Sequence, residues 1–172
     1  MTAPGFANMV RRIMSTYISF YDDVVRPEWI DNNGHMNLAY YVLIFDLATD
    51  RLFDRIGVGT PYRTASGNST FAAEAHTVYE REVHLGDKVQ VRTILLATDS
   101  KRIHFFHEMF HTDSGERSAT QELMSLHIDM NVRKVATFPP DLEASLAALS
   151  KQYAPTELPK GAGRRIAMPT RR

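Results

Sequence analysis

No cysteine occurs among the 172 residues. That absence removes disulfides, thiolate metal sites and a cysteine nucleophile together. It suits a reducing compartment, and a cytoplasmic location is the expectation. Charge of one sign is also lacking, since 20 Lys and Arg balance 20 Asp and Glu. Such a molecule exerts little long-range pull on nucleic acid or an anionic membrane, so neither is expected as a partner. No apolar run approaches the roughly 20 residues that cross a bilayer. Met1–Phe20 lacks the continuous apolar stretch of a signal peptide. Its Arg11 and Arg12 leave a transit-peptide reading open beside that of a short N-terminal arm, residues 1–16. There is no internal repeat and no linker rich in Gly, Pro or Ser. One domain, residues 17–153, is long enough to bury a core. A basic tail, residues 154–172, follows; from Lys160 it holds five basic residues, two glycines and one proline, a composition that predicts mobility.

The periodicities that are present predict a first strand over Tyr17–Val25 and one long helix over Asn37–Ile56, stopped by Gly57. The first half of that helix is apolar on nearly every side, which predicts burial round most of its circumference. Four strands are predicted next, over Ser69–His84, Lys88–Thr98, Ile103–Thr112 and Arg117–Met130. Turns at Asp99–Arg102 and Asp113–Glu116 join the later ones. Pro139-Pro140 opens a short helix, Asp141–Gln152. A strand, a buried helix and a run of antiparallel strands make an α+β layout, with the helix packed on a curled sheet.

The stretch from Val25 to Tyr41 carries most of the chemistry. Asp31 closes an extended segment, and Asn32-Asn33-Gly34 is turn chemistry. Asn37 is a good N-cap, with an apolar run directly behind it. A carboxylate thus stands a few residues ahead of a helix N-terminus, whose free N–H groups stabilise developing negative charge. An acid beside such an oxyanion site suits acyl transfer. Asp31 either attacks a carbonyl carbon itself or activates a water. The alternative is that it only fixes the turn by accepting backbone N–H bonds.

The motif Asp31-x-x-Gly34-His35-Met36-Asn37-x-x-Tyr40-Tyr41, ahead of a long apolar helix, resembles the acyl-CoA thioesterases of the hotdog fold. It is most similar to the branch typified by 4-hydroxybenzoyl-CoA thioesterase. The strand–turn–strand stretch from Tyr79 to Val91, with Gly86-Asp87 at its turn, continues the resemblance, which covers roughly Tyr17 to Asp129. Within the branch, Trp29, Phe71-x-x-Glu74-x-His76 and Lys101-Arg102-x-His104 resemble the betainyl-CoA thioesterases of carnitine breakdown. The resemblance implies a hotdog fold, a long central helix wrapped by a curled antiparallel sheet. It implies a cofactor-free hydrolase for a short or polar acyl-CoA, with betainyl-CoA the sharpest substrate expectation. A homodimer with active sites at the subunit interface, or a homotetramer, is implied too. Position by position, it makes Asp31 the catalytic acid and the backbone N–H of Leu38 the oxyanion donor, with Asn37 adjacent. A broad medium-chain or aromatic acyl-CoA thioesterase and a non-catalytic acyl-CoA binding module remain as rivals.

Other residues fill out the expected site. Gly34 is a backbone necessity of the turn, and His35 is either a proton relay or a lock on the loop. Glu74 and His76, two apart, share a strand face; with Asp31 they would make an acid–base cluster or bind a cationic acyl group. Trp29, Tyr40, Tyr41 and Tyr79 are candidates for an aromatic wall against a quaternary ammonium, core packing being the alternative. Arg63, Lys101, Arg102 and, further along, Arg164-Arg165 are candidates for CoA phosphates. Asp46, on the helix, is the runner-up acid. His104, His107 and His111 lie in one strand, but 104 and 107 point to opposite faces, and no metal is expected.

Overall fold

The computed structural model describes residues 16–168. The N-terminal arm, the transit-peptide reading apart from its last few residues, and Arg171 and Arg172 of the tail lie outside the described residues. Strand β1 (Ser19–Val24) leads through a 3-10 turn, Pro27–Trp29, to helix α1 (Leu38–Ile56) and the short α2 (Thr60–Ser66). Then come β2 (Asn68–Tyr79), β3 (Lys88–Thr98), β4 (Arg102–His111), β5 (Arg117–Asp129), β6 (Lys134–Val135) and α3 (Pro140–Gln152). The sheet runs β1-β3-β4-β5-β2, with β6 on the end of β5, and every pairing is antiparallel. Bulges between Ala72 and Glu74 in β2 and between Leu95 and Ala97 in β3 add local twist, and the sheet curls round α1.

Side chains alternate across the sheet as the two-residue period requires. On β4, Ile103, Phe105, His107 and Met109 are buried toward the core. His104, Phe106, Glu108 and Phe110 take the outer face, where His104 meets Glu122 and Glu108 meets Arg117. Helix α1 answers with Tyr41, Ile44, Phe45, Ala48, Thr49, Leu52 and Ile56, a buried stripe spaced by threes and fours. The predicted burial of the helix on nearly every side does not hold among the described residues. Leu38, Val42 and Leu43 are 61%, 41% and 39% exposed, because one curled sheet covers only one face of a helix. At the far end Gly57 takes the left-handed conformation at φ 83°, and Val58 N–H closes on the Phe53 carbonyl at 2.9 Å, which ends the helix.

A polar layer divides the core. His107 is fully buried between the hydroxyls of Thr49 and Thr93, each 2.9 Å from a ring nitrogen. Thr49 spends its one proton on the Phe45 carbonyl at 2.9 Å, so His107 Nε2 donates to Thr49 and Nδ1 accepts from Thr93. One apolar cluster, with Phe45, Val91 and Met109, lies toward the Asp31 end. The other, with Leu52, Phe105 and Phe138, lies beyond.

The structure departs from the predicted pattern in three places. The strand expected over Ser69–His84 ends at Tyr79, because Glu80 and Arg81 turn their N–H groups onto the Ser118 carbonyl and Val83 turns its carbonyl to the Met36 N–H. Helix α2 and the two-residue β6 are additions that the sequence pattern did not predict. The tail, expected to be mobile from Lys160, is tied to the outer face of the sheet. Arg117 donates to the Lys160 carbonyl at 3.1 Å, and Gly163 N–H donates to Glu122 Oε2 at 2.7 Å.

Candidate active site

The Asp31 turn is held by its own backbone. Asp31 N–H donates to the His35 carbonyl at 3.1 Å and Gly34 N–H to the Asp31 carbonyl at 3.0 Å. Gly34 sits at φ 84°, a conformation that a side chain resists. Asn33 N–H donates to Asp31 Oδ1 at 2.8 Å. The turn-fixing and catalytic readings of Asp31 therefore fall on different oxygens. Oδ1 holds the turn, and Oδ2 has no protein partner among the described residues.

The helix start divides its donors in the same way. Asn37 caps α1, its side-chain oxygen accepting from Ala39 N–H at 3.0 Å. Its carbonyl accepts from Tyr40 N–H at 3.0 Å, while its own N–H donates to the Trp29 carbonyl at 2.9 Å. Leu38 N–H is left with no acceptor among the described residues, as the first N–H of a helix must be unless something outside supplies one. Asp31, His35, Asn37, Leu38 and Tyr41 all line one cavity of about 390 Å³. The opposite wall is Tyr79–Glu82, tied to the loop by the 2.8 Å bond from Met36 N–H to the Val83 carbonyl.

That wall was not among the predicted site residues beyond Tyr79. Its one sequence signal is the charged run Glu80-Arg81-Glu82, which breaks the alternation of β2. Arg117 grips Glu80 with two bonds of 2.8 and 2.9 Å, and the guanidinium holds the Glu80 carboxyl below the usual carboxylate range. Arg81 turns to Glu116 at 3.2 Å. Tyr41 donates to the Arg81 carbonyl at 3.2 Å, and burial pushes its phenol up to about 12, so it stays neutral. His35 lies between two acids, Nδ1 3.9 Å from Asp31 Oδ1 and Nε2 3.9 Å from Glu82 Oε1. Its Nδ1 also donates to the Met36 carbonyl at 3.4 Å, which fits the loop-locking reading.

Several predicted site residues stand elsewhere. Trp29 is 3% exposed; its indole stacks on Tyr40 at 5.4 Å and lies under the Arg26 guanidinium at 4.7 Å. The aromatic wall expected at Trp29 is therefore core packing beneath the loop. Glu74 and His76 do not join Asp31. They pair with Met124 and Glu122 of β5 and so lie on the outer face, where they line a separate cavity of about 250 Å³ with His104, Glu122, Arg164 and Arg165. Lys101 and Arg102 form the hairpin at the other end of the sheet. Arg102 pairs with Leu126 and Tyr79 with Ala119, so about seven residues, or roughly 23 Å, of β5 separate them. Arg102 is also committed to Asp99 by contacts of 2.6 and 2.7 Å. Arg63 bonds Thr60 at 2.8 Å beside the Asn68 end of β2. Asp46 lies on the solvent side of α1, its pKa raised by partial desolvation against the helix surface and by Asp50. Among the described residues no group of three or more metal-ligating side chains occurs.

The antiparallel sheet curled round one long helix is a hotdog fold, with the Asp31 turn and the unspent Leu38 N–H at one end of it. Residues 25–146 match the family model described as the thioesterase-like superfamily. The chain is 39% identical over 156 residues to the betainyl-CoA thioesterase of Pseudomonas aeruginosa, covering 91% of this chain and 98% of that one. A putative thioesterase from Pseudomonas putida superposes with a TM-score of 0.75 at 35% identity, over 90% of this chain and 98% of that one. A Staphylococcus aureus protein solved in complex with CoA superposes with a TM-score of 0.80 at 30% identity, over 87% of this chain and 94% of that one. The chain belongs to the thioesterase-like superfamily.

Proposed function

We propose that the protein is an acyl-CoA thioesterase of the cytoplasm that hydrolyses a short or polar acyl thioester, betainyl-CoA first, to betaine and CoA. The observation that carries this reading is one cavity holding an uncommitted carboxylate oxygen, Asp31 Oδ2, and an uncommitted helix N–H, that of Leu38. With the thioester carbonyl oxygen on Leu38 N–H, its carbon faces the acid. Oδ2 either adds to that carbon, giving an anhydride that water opens, or takes a proton from the water that adds. On both routes charge gathers on the carbonyl oxygen, where the preorganised N–H stabilises it. Collapse of the tetrahedral species breaks the C–S bond, and the CoA thiolate leaves and takes up a proton. The betainyl-CoA relative and the CoA-bound neighbour support the substrate class.

The working unit in this reading is a homodimer, itself able to pair into a tetramer. Among the described residues the β2 edge of the sheet is unpaired, the exposed Leu38 lines one cavity with Tyr79 at its end, and the exposed Val42 and Leu43 follow about one turn further along α1. A second copy added antiparallel at β2 completes the ladder and carries its own Arg63 toward this Tyr79 end, in reach of CoA phosphates. The test is CoA release, followed with a thiol reagent, over betainyl-, acetyl-, medium-chain and hydroxybenzoyl-CoA. Turnover highest with betainyl-CoA is the expected result. A preference for medium-chain or aromatic thioesters replaces the substrate, and tight CoA binding without turnover replaces the enzyme by a binding module.

A further inference from the structure

A quaternary ammonium carries no N–H to donate. Hydrogen bonds cannot recognise it, which leaves opposite charge and the faces of aromatic rings. The Asp31 cavity offers both. Four of its residues are formally charged, Asp31, Glu80, Arg81 and Glu82, so acids outnumber bases. Three of these are engaged elsewhere. Asp31 faces the reacting carbonyl, both oxygens of Glu80 are bonded to Arg117, and Arg81 is turned to Glu116. Among the described residues the Glu82 carboxylate makes no hydrogen bond. It is 66% exposed on its side chain, and the nearest imidazole nitrogens, of His35 and His84, stand off at 3.9 and 3.8 Å, outside hydrogen-bond range. Beside it two phenol rings meet edge to face, Tyr41 and Tyr79, with centroids 5.3 Å apart and planes at 81°. Tyr79 is 45% exposed. Tyr41 is anchored through its hydroxyl to the Arg81 carbonyl, so its ring is held in place before any ligand arrives.

We infer that Tyr79 and Glu82, backed by Tyr41, form the subsite that selects a cationic acyl group, holding a trimethylammonium between ring face and carboxylate while Asp31 and Leu38 act on the thioester. The inference rests on the thioesterase reading and names what sets its substrate. It transfers the role that the sequence suggested for Trp29 and Glu74 to residues of the opposite wall. A carboxylate and a π face act on charge and hardly on shape. Their contribution therefore separates cleanly from packing when the substrate loses its charge and keeps its form.

The experiment compares betainyl-CoA with 3,3-dimethylbutyryl-CoA, in which carbon replaces the quaternary nitrogen, for the wild-type chain, Glu82→Gln, Tyr79→Leu and Tyr79→Phe. The readout is the ratio of the two kcat/KM values. The wild type is expected to favour the charged substrate. Glu82→Gln and Tyr79→Leu should each shrink that ratio by about tenfold, the scale of a desolvated cation–π contact or of one charge at close range. Tyr79→Phe, which keeps the ring, should retain it. An unchanged ratio in both Glu82→Gln and Tyr79→Leu overturns the inference. So does an equal loss on both substrates, which would place Glu82 behind His35 in the chemistry. In either case hydrolysis itself persists in the wild type and the thioesterase reading stands. Absence of hydrolysis with every thioester overturns that reading first, and this one with it.

Discussion

In the proposed mechanism Leu38 acts through its backbone N–H, so most substitutions would leave that role intact. Proline is the exception. It has no N–H, yet it is tolerated at the first position of a helix. Asn37 before it already has φ −60° and ψ 142°, the extended geometry a following proline requires. The Leu38 side chain is largely exposed, so little packing is lost. Leu38→Pro is expected to fold and to lose about a hundredfold or more in kcat, the cost of one oxyanion donor; circular dichroism beside steady-state kinetics checks both halves. His107 gives a second residue-scale test. Burial pushes its imidazole down to about 3 from an ordinary value of 6.5. Between those values the unfolded chain binds a proton that the folded chain refuses. Stability is therefore full above about 6.5, falls as pH drops through that value, and goes on falling until about 3. Urea titrations over that range should show the loss. His107→Gln should flatten it, at a cost of about 1–3 kcal/mol near neutral pH for the disturbed hydrogen bonds.

At the scale of elements, α1 has one face against the sheet and one apolar face that is exposed among the described residues. The stripe from Tyr41 to Ile56 belongs to the sheet of its own protomer. Among the described residues Leu38, Val42 and Leu43 are apolar and exposed, the β2 edge is unpaired, and Leu38 shares a cavity with its Tyr79 end. In the homodimer reading a second copy covers both. Val42→Lys then places an ammonium in that interface. It should shift the protein toward monomer in light scattering and leave the far-UV spectrum unchanged. A monomeric wild type, or a Val42→Lys protein of the same mass as wild type, contradicts that reading. The apolar surplus on α1 was legible in the sequence, because ten residues between Leu38 and Ala48 are hydrophobic. What the pattern led one to expect was burial within a single chain, since periodicity registers the need for cover and not its source.

Over the whole molecule, the turn, the cap and the strand alternation could be read because each is local: Asn and Gly for a left-handed turn, Asn for a cap, period two for a strand. The division of Glu74 and His76 from Asp31 could not. It depends on register across the β2–β5 pair and on a bulge at Ala72/Glu74, and one inserted residue changes which face a side chain takes. Trp29 failed for a related reason, since an aromatic two residues from an acid looks like a ligand wall until the ring it stacks on is known. The outer-face network was equally hidden, being built from distant segments. Arg117 joins Glu80 and Glu108, and also the Lys160 carbonyl, so one side chain links β5, β4, the site wall and the tail. Arg117→Ala should cost about 2 kcal/mol, between the values for exposed and fully buried pairs. It should also raise hydrogen exchange at Gly163, and denaturant melts with exchange mass spectrometry read both.

In the proposed mechanism Asp31 Oδ2 performs the chemistry while Oδ1 only holds the turn. Asp31→Asn separates these, because the amide oxygen can still accept from Asn33 N–H while the charge is gone. The deciding measurement is CoA release from betainyl-CoA by wild type and Asp31→Asn at matched concentration and matched thermal stability. The wild-type rate is expected to fall about a thousandfold in Asp31→Asn, the range for removing a positioned acid–base group. A variant that is equally stable and turns over at the wild-type rate would contradict that mechanism.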